Sequence, residues 1–451
     1  MSARTDPPWH EELDVVIIGG GPGGATAAAL LAQRGRRVAV LEQQRFPRFH
    51  IGESLLPSSA PVLAQLGLHE AMDRLFIRKY SARFLDDEAP MDSPAATARY
   101  AFAGAFPPAT PYAWQVARAE FDELLLRRAG ELGADVREGW RVERPIFSGS
   151  TVVGVEASGP AGETRRLAAR VVIDASGRDA LLAKSAGRQR IAGLDKTAIF
   201  TQVQGGHRNP GIDAGQIELT ILAGRADDGS TPGWAWFIPF LDGTSSVGFV
   251  LASSVVGARV RDAGAVFGER SGPAPREYSP RSDAQNARLA EIFDDAVASS
   301  PWMTRLIAGS PRVAPVRAAA DYSFRVEKLA GDGWLVLGDA AGFLDPLFST
   351  GAHLAMGGAV RAAAAIDDAL TVDDVSAARF ATYAAQLRTA GDLFLGAVQS
   401  FYRGELRGLL FAQEQRSTLR KMIISMLAGD VFHDPPARWH GYFAERFPVR
   451  L

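Results

Sequence analysis

The sequence predicts an α/β fold: a parallel-sheet domain, an inserted mixed β-sheet domain and a helical C-terminal region. Three observations predict it. The β-branched run Leu13–Ile18 leads directly into Gly19-x-Gly21-x-x-Gly24 and a helical stretch. Two later apolar runs, Arg170–Arg178 and Gly333–Asp339, have the look of strands that end in tight small-residue turns. Residues 85–113 and 186–300 carry short runs of Val, Ile, Phe and Thr, punctuated by Gly and Pro, which read as a second sheet.

The chain has 451 residues, enough for two or three domains, with 47% hydrophobic and 22% charged residues. A net charge of -2 argues against nucleic acid or an anionic membrane as a partner. There is no cysteine, which excludes disulfides and thiol chemistry and fits a reducing compartment. The first apolar run is broken by glycines and Pro22 and preceded by Glu11, Glu12 and Asp14, unlike a secretory signal. No uninterrupted apolar stretch approaches ~20 residues. A cytoplasmic protein is therefore expected. The first ten residues read as a flexible lead-in. The seven histidines show no metal-ligand spacing, so no metal is expected.

Leu13–Ile18 reads as a buried parallel strand, Ala25–Arg34 as a helix ended by Gly35, and Arg37–Leu41 as a second strand with Glu42 at its end. Glycines at 19, 21 and 24 let the backbone turn and approach a pyrophosphate, which the helix N-terminus attracts. Glu42 stands where a carboxylate accepts bonds from an adenosine ribose. Strand, glycines, helix, second strand and acid in this order point to a dinucleotide. The fingerprint alone does not separate FAD from NAD.

The segment Gly338-Asp-Ala-Ala-Gly342 resembles the FAD-binding element of the flavoprotein aromatic hydroxylase superfamily. The resemblance implies a glutathione-reductase-type FAD domain in which Asp339 and Gly342 meet the cofactor. Asp339 also suits a helix N-cap, and both roles are compatible. Arg118, in Trp114-Gln-Val-Ala-Arg118 before a helix over Glu120–Leu132, matches the superfamily's arginine contact; an ordinary surface arginine is the other reading.

The run Trp234-Ala-Trp-Phe-Ile-Pro239 narrows the resemblance. Alternating tryptophans on a strand are commonly core packing. Together with the FAD elements, however, this run is similar to that of the FAD-dependent halogenases. In those enzymes Trp234, Trp236 and Pro239 would form a wall that keeps the flavin's peroxide from the substrate. After Gly342 the chain runs Phe343-Leu-Asp-Pro-Leu-Phe-Ser-Thr-Gly351. Taken alone, Ser349-Thr350-Gly351 is a turn into a helix around Leu354–Leu370. Consecutive backbone N–H groups there could also hold an anion, and the resemblance implies chloride at Thr350 and Gly351, with Ser349 beside a tunnel through which hypochlorous acid would travel from the flavin to the substrate. Tryptophan halogenases place a glutamate before this serine. Phe348 stands there instead; halogenases of phenols and pyrroles commonly lack that acid, and their rings need less help from an enzymic base.

Lys79, in Phe76-Ile-Arg-Lys-Tyr-Ser-Ala-Arg-Phe84, matches the family's catalytic lysine and follows the family-like segment His50-Ile-Gly-Glu-Ser-Leu-Leu-Pro57. Most lysines are simply solvated. A lysine amine, however, is mobile and its pKa falls on burial, unlike arginine's, so it can hydrogen-bond hypochlorous acid or be chlorinated by it. Residues from 76 onward read as one strand entering the second sheet.

The resemblance implies a halogenase that works through FADH2, a C4a-hydroperoxide and hypochlorous acid delivered by Lys79. It also implies a separate flavin reductase and a small electron-rich aromatic substrate, phenolic before pyrrole; whether that substrate is free or held on an acyl or peptidyl carrier protein stays open. The expected organisation is a discontinuous FAD domain (1–75, 105–185, 310–370), a substrate domain (76–104, 186–309) and a helical cap (371–451). Helices are expected over Val375–Ala390, Asp392–Phe411 and Gln413–Leu427, either packed on the core or lining the substrate cavity. His353 reads as structural first and a proton shuttle second. The competing readings are an FAD-dependent aromatic hydroxylase, which needs an open route past Trp234 and Trp236, a flavin-dependent isoprenoid reductase, and a flavoprotein without turnover.

Overall fold

The computed structural model describes residues 8–107, 109–182, 187–226, 229–261, 283–320, 323–412, 417–432 and 437–450. The run Glu11–Ile18 forms the expected strand and pairs in parallel with Val38–Glu42 and with Thr164–Asp174. The latter pairs in parallel with Trp334–Val336, and Val38–Glu42 pairs with Asp135–Glu138. Both faces of this sheet are covered, so its central strands are apolar almost throughout: Val15, Val16, Ile17, Val38, Val40, Val171, Val172 and Ile173 are all buried. The helices Pro22–Gln33, Arg118–Glu131 and Gly351–Thr371 contribute to the same core. The hairpin Arg141–Ser148 and Thr151–Ser158 extends the sheet antiparallel.

A second sheet has seven strands in the order Arg317–Ala320, Lys196–Gln204, Thr244–Ala252, Gly233–Pro239, Ile217–Ile221, Ser81–Asp86 and Thr97–Ala101. Only the contact of Ile217–Ile221 with Ser81–Asp86 is parallel. Arg317–Ala320 was expected in the FAD domain from residue 310. It instead closes an edge of this sheet, so the sheet draws on chain beyond residue 309.

The single strand expected from residue 76 is two. Ile77–Lys79 pairs with Ala113–Gln115 in a separate two-stranded ribbon, and Ser81–Asp86 joins the large sheet. Local composition could not show this, because the two halves differ only in which distant segment they meet.

The cap also differs from expectation. One helix runs unbroken from Ala381 to Tyr402, through the junction expected between Ala390 and Asp392. The chain turns at Gly404, which has φ +79°. Helices Glu405–Leu410, Ser417–Leu427 and Arg438–Arg446 follow, the last not foreseen. Residues 413–416 of one expected helix, and seven residues of the expected lead-in, lie outside the described residues. Phe394, Val398, Phe401, Ile424 and Phe443 pack in one core with Trp234, Trp236 and Phe84 of the second sheet. Among the described residues no helix is long and apolar enough to cross a membrane.

Candidate active site

A cavity of about 640 Å³ runs from the first glycine turn to the tryptophan strand. Gly19, Gly21, Glu42, Arg118 and Asp339 line it, along with Arg48 and the segment His50–Ser54. The fingerprint glycines divide the work. A Cβ on Gly19, whose φ is +99°, would lie 2.4 Å from the Ala175 carbonyl oxygen. A Cβ on Gly24 would lie 2.0 Å from the Gly19 carbonyl oxygen, so this residue sets the approach of helix to strand and is not itself on the lining. At Gly21, among the described residues beyond its chain neighbours, a Cβ would meet only Arg48 Nη2, at 3.6 Å, so that backbone is open to a ligand. Glu42 accepts from the Gly20 and Gln44 N–H groups (2.7 and 2.8 Å), which fixes its carboxylate at the mouth of the turn. These residues fit a dinucleotide: an exposed N–H turn at a helix N-terminus for the pyrophosphate and a fixed acid for the ribose.

Arg118 opens its helix and is doubly bonded to Asp122 (2.7 and 2.8 Å), while Nη1 donates to the Ile51 carbonyl (2.6 Å). It thus holds the segment His50–Ser54 against the cavity besides bordering it. Asp339 lies on the short turn Gly338–Ala340. Gly342 does not line the cavity; it sits in the short strand Gly342–Phe343, paired with Arg325, and its neighbour Phe343 reaches the lining instead.

The tryptophan strand presents Trp234, Trp236 and Ile238 to this cavity. Pro239 is not on the lining; with side chains alternating along a strand, it points to the opposite face from the two indoles. Ile238 takes the place assigned to it. Both indoles are buried, 5.7 Å apart between centroids. Trp234 Nε1 donates to Asp345 Oδ1 (3.1 Å), and Trp236 Nε1 to Ser246 Oγ (3.1 Å). Ser246 in turn bonds to Glu53, whose carboxyl burial pushes up to about 7 against the pull of Ser246, Arg118, Gln202 and Arg317. The indoles are therefore clamped as well as packed. Gly248 faces Trp236 across the strand pair, and a Cβ there would come within 2.3 Å of the indole. Gly248→Val should displace that ring and destabilise the protein by about 1–3 kcal/mol, the range for overpacking. Denaturant unfolding measures this, and an unchanged midpoint would contradict it.

Lys79 is 1% exposed. Among the described residues its one hydrogen-bond partner is Ser54 Oγ, at 2.8 Å, and its Nζ stands 5.3 Å from the Phe102 ring centroid. Burial lowers its pKa to about 7, with no carboxylate among the described residues to offset it. Lys79 itself is not on the cavity lining, but Ser54 is. One side chain thus separates the lysine from the cavity.

The turn assigned to halide follows Asp345, which caps the turn Pro346–Phe348 by accepting from the Leu347 N–H (3.1 Å). Ser349 adopts a left-handed φ of +57°, uncommon for a residue with a side chain. The helix Gly351–Thr371 then begins, and its first N–H groups have no partner within the helix. Ser349, Gly351 and Ala352 border the cavity; Thr350 is buried behind them. His353 lies away from the lining, with Nδ1 3.1 Å from Ser59 Oγ and its ring 5.6 Å from Phe432. Burial lowers its pKa to about 4, so it is a neutral imidazole in the packing of this helix.

Sequence reasoning assigned no role to Ser54, Glu53, Ser246, Asp345 or Ile238. The strand period would have found Ile238, two residues on from Trp236. Ser54 and Glu53 lie inside the family-like segment His50–Pro57. Nothing in the local sequence marks Ser246, which matters only because its strand pairs with the tryptophan strand.

The tryptophan halogenase family model matches residues 14–89 and 91–408. Among curated proteins, the chain is 33% identical over 375 residues to the flavin-dependent halogenase armH4 of Armillaria mellea, covering 81% of this chain and 67% of that one. It is 28% identical over 469 residues to the 1H-pyrrole-2-carbonyl-[peptidyl-carrier protein] chlorinase of Pseudomonas fluorescens, covering 96% and 97%. Its fold matches the structure of the flavin-dependent brominase Bmp2 with a TM-score of 0.77 and 27% identity, over 96% of this chain and 98% of that one. The matched family, the halogenase relatives and the shared fold define a flavin-dependent halogenating enzyme. The chain belongs to the tryptophan halogenase family, and it uses reduced FAD and a halide.

Proposed function

We propose that this enzyme chlorinates an electron-rich aromatic ring, phenolic in the first instance, with Lys79 delivering hypochlorous acid. The observation that carries the reading is a fully buried lysine amine, without a carboxylate partner among the described residues, bonded to a serine that borders the cofactor cavity. Bound reduced FAD, renewed by a separate flavin reductase, supplies the chemistry by which oxygen oxidises halide. The N–H groups at Thr350 and Gly351 hold chloride beside it. Trp234, Trp236 and Ile238 keep the aromatic ring from the cofactor and exclude bulk water. A molecule as small as hypochlorous acid passes at Ser54. The neutral Lys79 amine then hydrogen-bonds it, or exchanges a proton for chlorine and releases water. Transfer to the ring restores the amine.

Phe348, in place of an acid beside Ser349, favours a ring that needs no enzymic base. A second reading, pyrrole on a carrier protein, is favoured by the end-to-end likeness to the pyrrolyl-carrier chlorinase. Incubation with FAD, a flavin reductase, NADH and chloride or bromide, against phenols and pyrrole-2-carboxylate supplied free and as carrier thioesters, separates them by mass spectrometry. Chlorinated phenol is the expected product. Turnover of the pyrrolyl-carrier alone would replace the first reading by the second. Halogenation by Lys79→Met at the wild-type rate would remove the lysine from the mechanism.

A further inference from the structure

The carboxylate of Asp345 joins three parts of the molecule that are distant in sequence. It is 1% exposed. Oδ1 accepts from the indole N–H of Trp234 and from the Leu347 N–H, both at 3.1 Å. Oδ2 accepts from the Tyr402 hydroxyl at 2.7 Å. Trp234 belongs to the wall, and Leu347 to the turn that leads into Ser349–Gly351. Tyr402 is the last residue of the long cap helix Ala381–Tyr402. That end of the helix is fixed from other sides as well. Lys196 Nζ stands 4.1 Å from the Tyr402 ring centroid, the Tyr402 carbonyl accepts from the Thr231 N–H (2.8 Å), and the Phe401 carbonyl accepts from Thr231 Oγ1 (3.1 Å). Thr231 stands two residues before the tryptophan strand. Leu347 and Phe348 pack in the same core as Phe394, Val398 and Phe401 of the cap helix.

From this geometry we infer that Asp345 is a positioning residue that ties the halide-binding turn to the C-terminal cap, so that the seating of the cap at Tyr402 sets halide affinity. The inference rests on the reading of Thr350–Gly351 as the halide site. It goes beyond that reading by assigning the cap a part in anion binding as well as in covering the wall. The physical reason is the rigidity of the node. A buried carboxylate with donors on both oxygens has one orientation, and each donor removed leaves it free to rotate. An anion held by backbone N–H groups is sensitive to small movements of those groups, because their dipoles must converge on one point.

Halide saturation of halogenation tests this with four variants. Tyr402→Phe deletes one donor and little volume, and should raise the halide KM about 3- to 10-fold, the equivalent of one hydrogen bond. FAD affinity should be retained, and kcat should fall less than KM rises. Asp345→Ala should raise the halide KM further, and Asp345→Asn should recover part of that loss, because an amide oxygen still accepts from Trp234 and Leu347. The double variant Asp345→Ala/Tyr402→Phe should be no worse than Asp345→Ala alone, since both changes break the same link. An unchanged halide KM in Tyr402→Phe, or effects that multiply in the double variant, would overturn the coupling. Gly351→Ala checks the underlying site separately. Among the described residues beyond its chain neighbours and its own helix backbone, a methyl there would meet only Asp339 Oδ1, at 3.7 Å, and it projects beside the proposed anion. A wild-type halide KM in that variant would remove the turn as the halide site, and the coupling with it. A raised halide KM in Gly351→Ala beside an unchanged one in Tyr402→Phe would leave the site standing and sink only the coupling.

Discussion

Lys79→Met is expected to lower halogenation roughly 10²- to 10⁴-fold, the range for losing a positioned proton-handling side chain, while halide oxidation continues. Methionine matches the length of the lysine and fills its buried space, but has no amine to receive the oxidant. Hypohalous acid should then escape, and an added soluble amine should trap it as haloamine in higher yield than from the wild type. The same variant should change stability in a defined direction. The Lys79 pKa is about 7 in the fold, against ~10.4 in an unfolded chain. Between those values the unfolded chain binds the extra proton, so stability rises with pH from about 7 to ~10.4. Below about pH 7 the full penalty of the buried charge is present, on the order of 5 kcal/mol at 1.36 kcal/mol per pKa unit. Lys79→Met should therefore be more stable than the wild type at pH 6 and should lose that part of the pH dependence. Denaturant unfolding at pH 6 and pH 9 measures both effects. A variant less stable at pH 6, or one that halogenates normally, would contradict this account of the lysine.

Gly24→Ala carries the second large effect. The new methyl would lie 2.0 Å from the Gly19 carbonyl oxygen, a backbone atom that cannot rotate aside. Relief requires the helix Pro22–Gln33 to withdraw from the strand Glu11–Ile18. Its N-terminus would then withdraw from the proposed pyrophosphate position, and both the N–H contacts and the dipole attraction expected there would weaken. The expected outcome is a folded protein whose FAD affinity falls by at least about tenfold, equivalent to 1.4 kcal/mol. Titration with FAD measures it. Wild-type affinity would mean that the tight strand–helix approach is not what seats the cofactor.

The cofactor half of the molecule was legible because its signals are local. A β-branched run, a glycine turn, a helix and an acid follow one another within residues 13–42, and each stands where its own pattern puts it. The tryptophan strand was legible for the same reason, although its period of two was not carried through to Ile238 and Pro239. What stayed hidden depends on pairing between distant segments. Phe76–Phe84 contains nothing that tells Ile77–Lys79 to leave the large sheet for Ala113–Gln115. The break in the cap falls at Gly404, where a left-handed turn is needed, and not at Gly391, where a helix is tolerated and a Cβ would meet nothing within 4 Å. The anchors of the two indoles, Asp345 and Ser246, could be named only once the strands and the cap were in place.

The most direct test of the central claim, that the oxidant leaves the cofactor before it meets a substrate, needs no substrate. The protein is loaded anaerobically with reduced FAD, oxygen is admitted with and without chloride or bromide, and flavin absorbance is followed in the presence of a soluble trapping amine. The account predicts that halide changes the course of flavin reoxidation and that haloamine forms in proportion to the flavin consumed. Reoxidation indifferent to halide, with no haloamine, would contradict it.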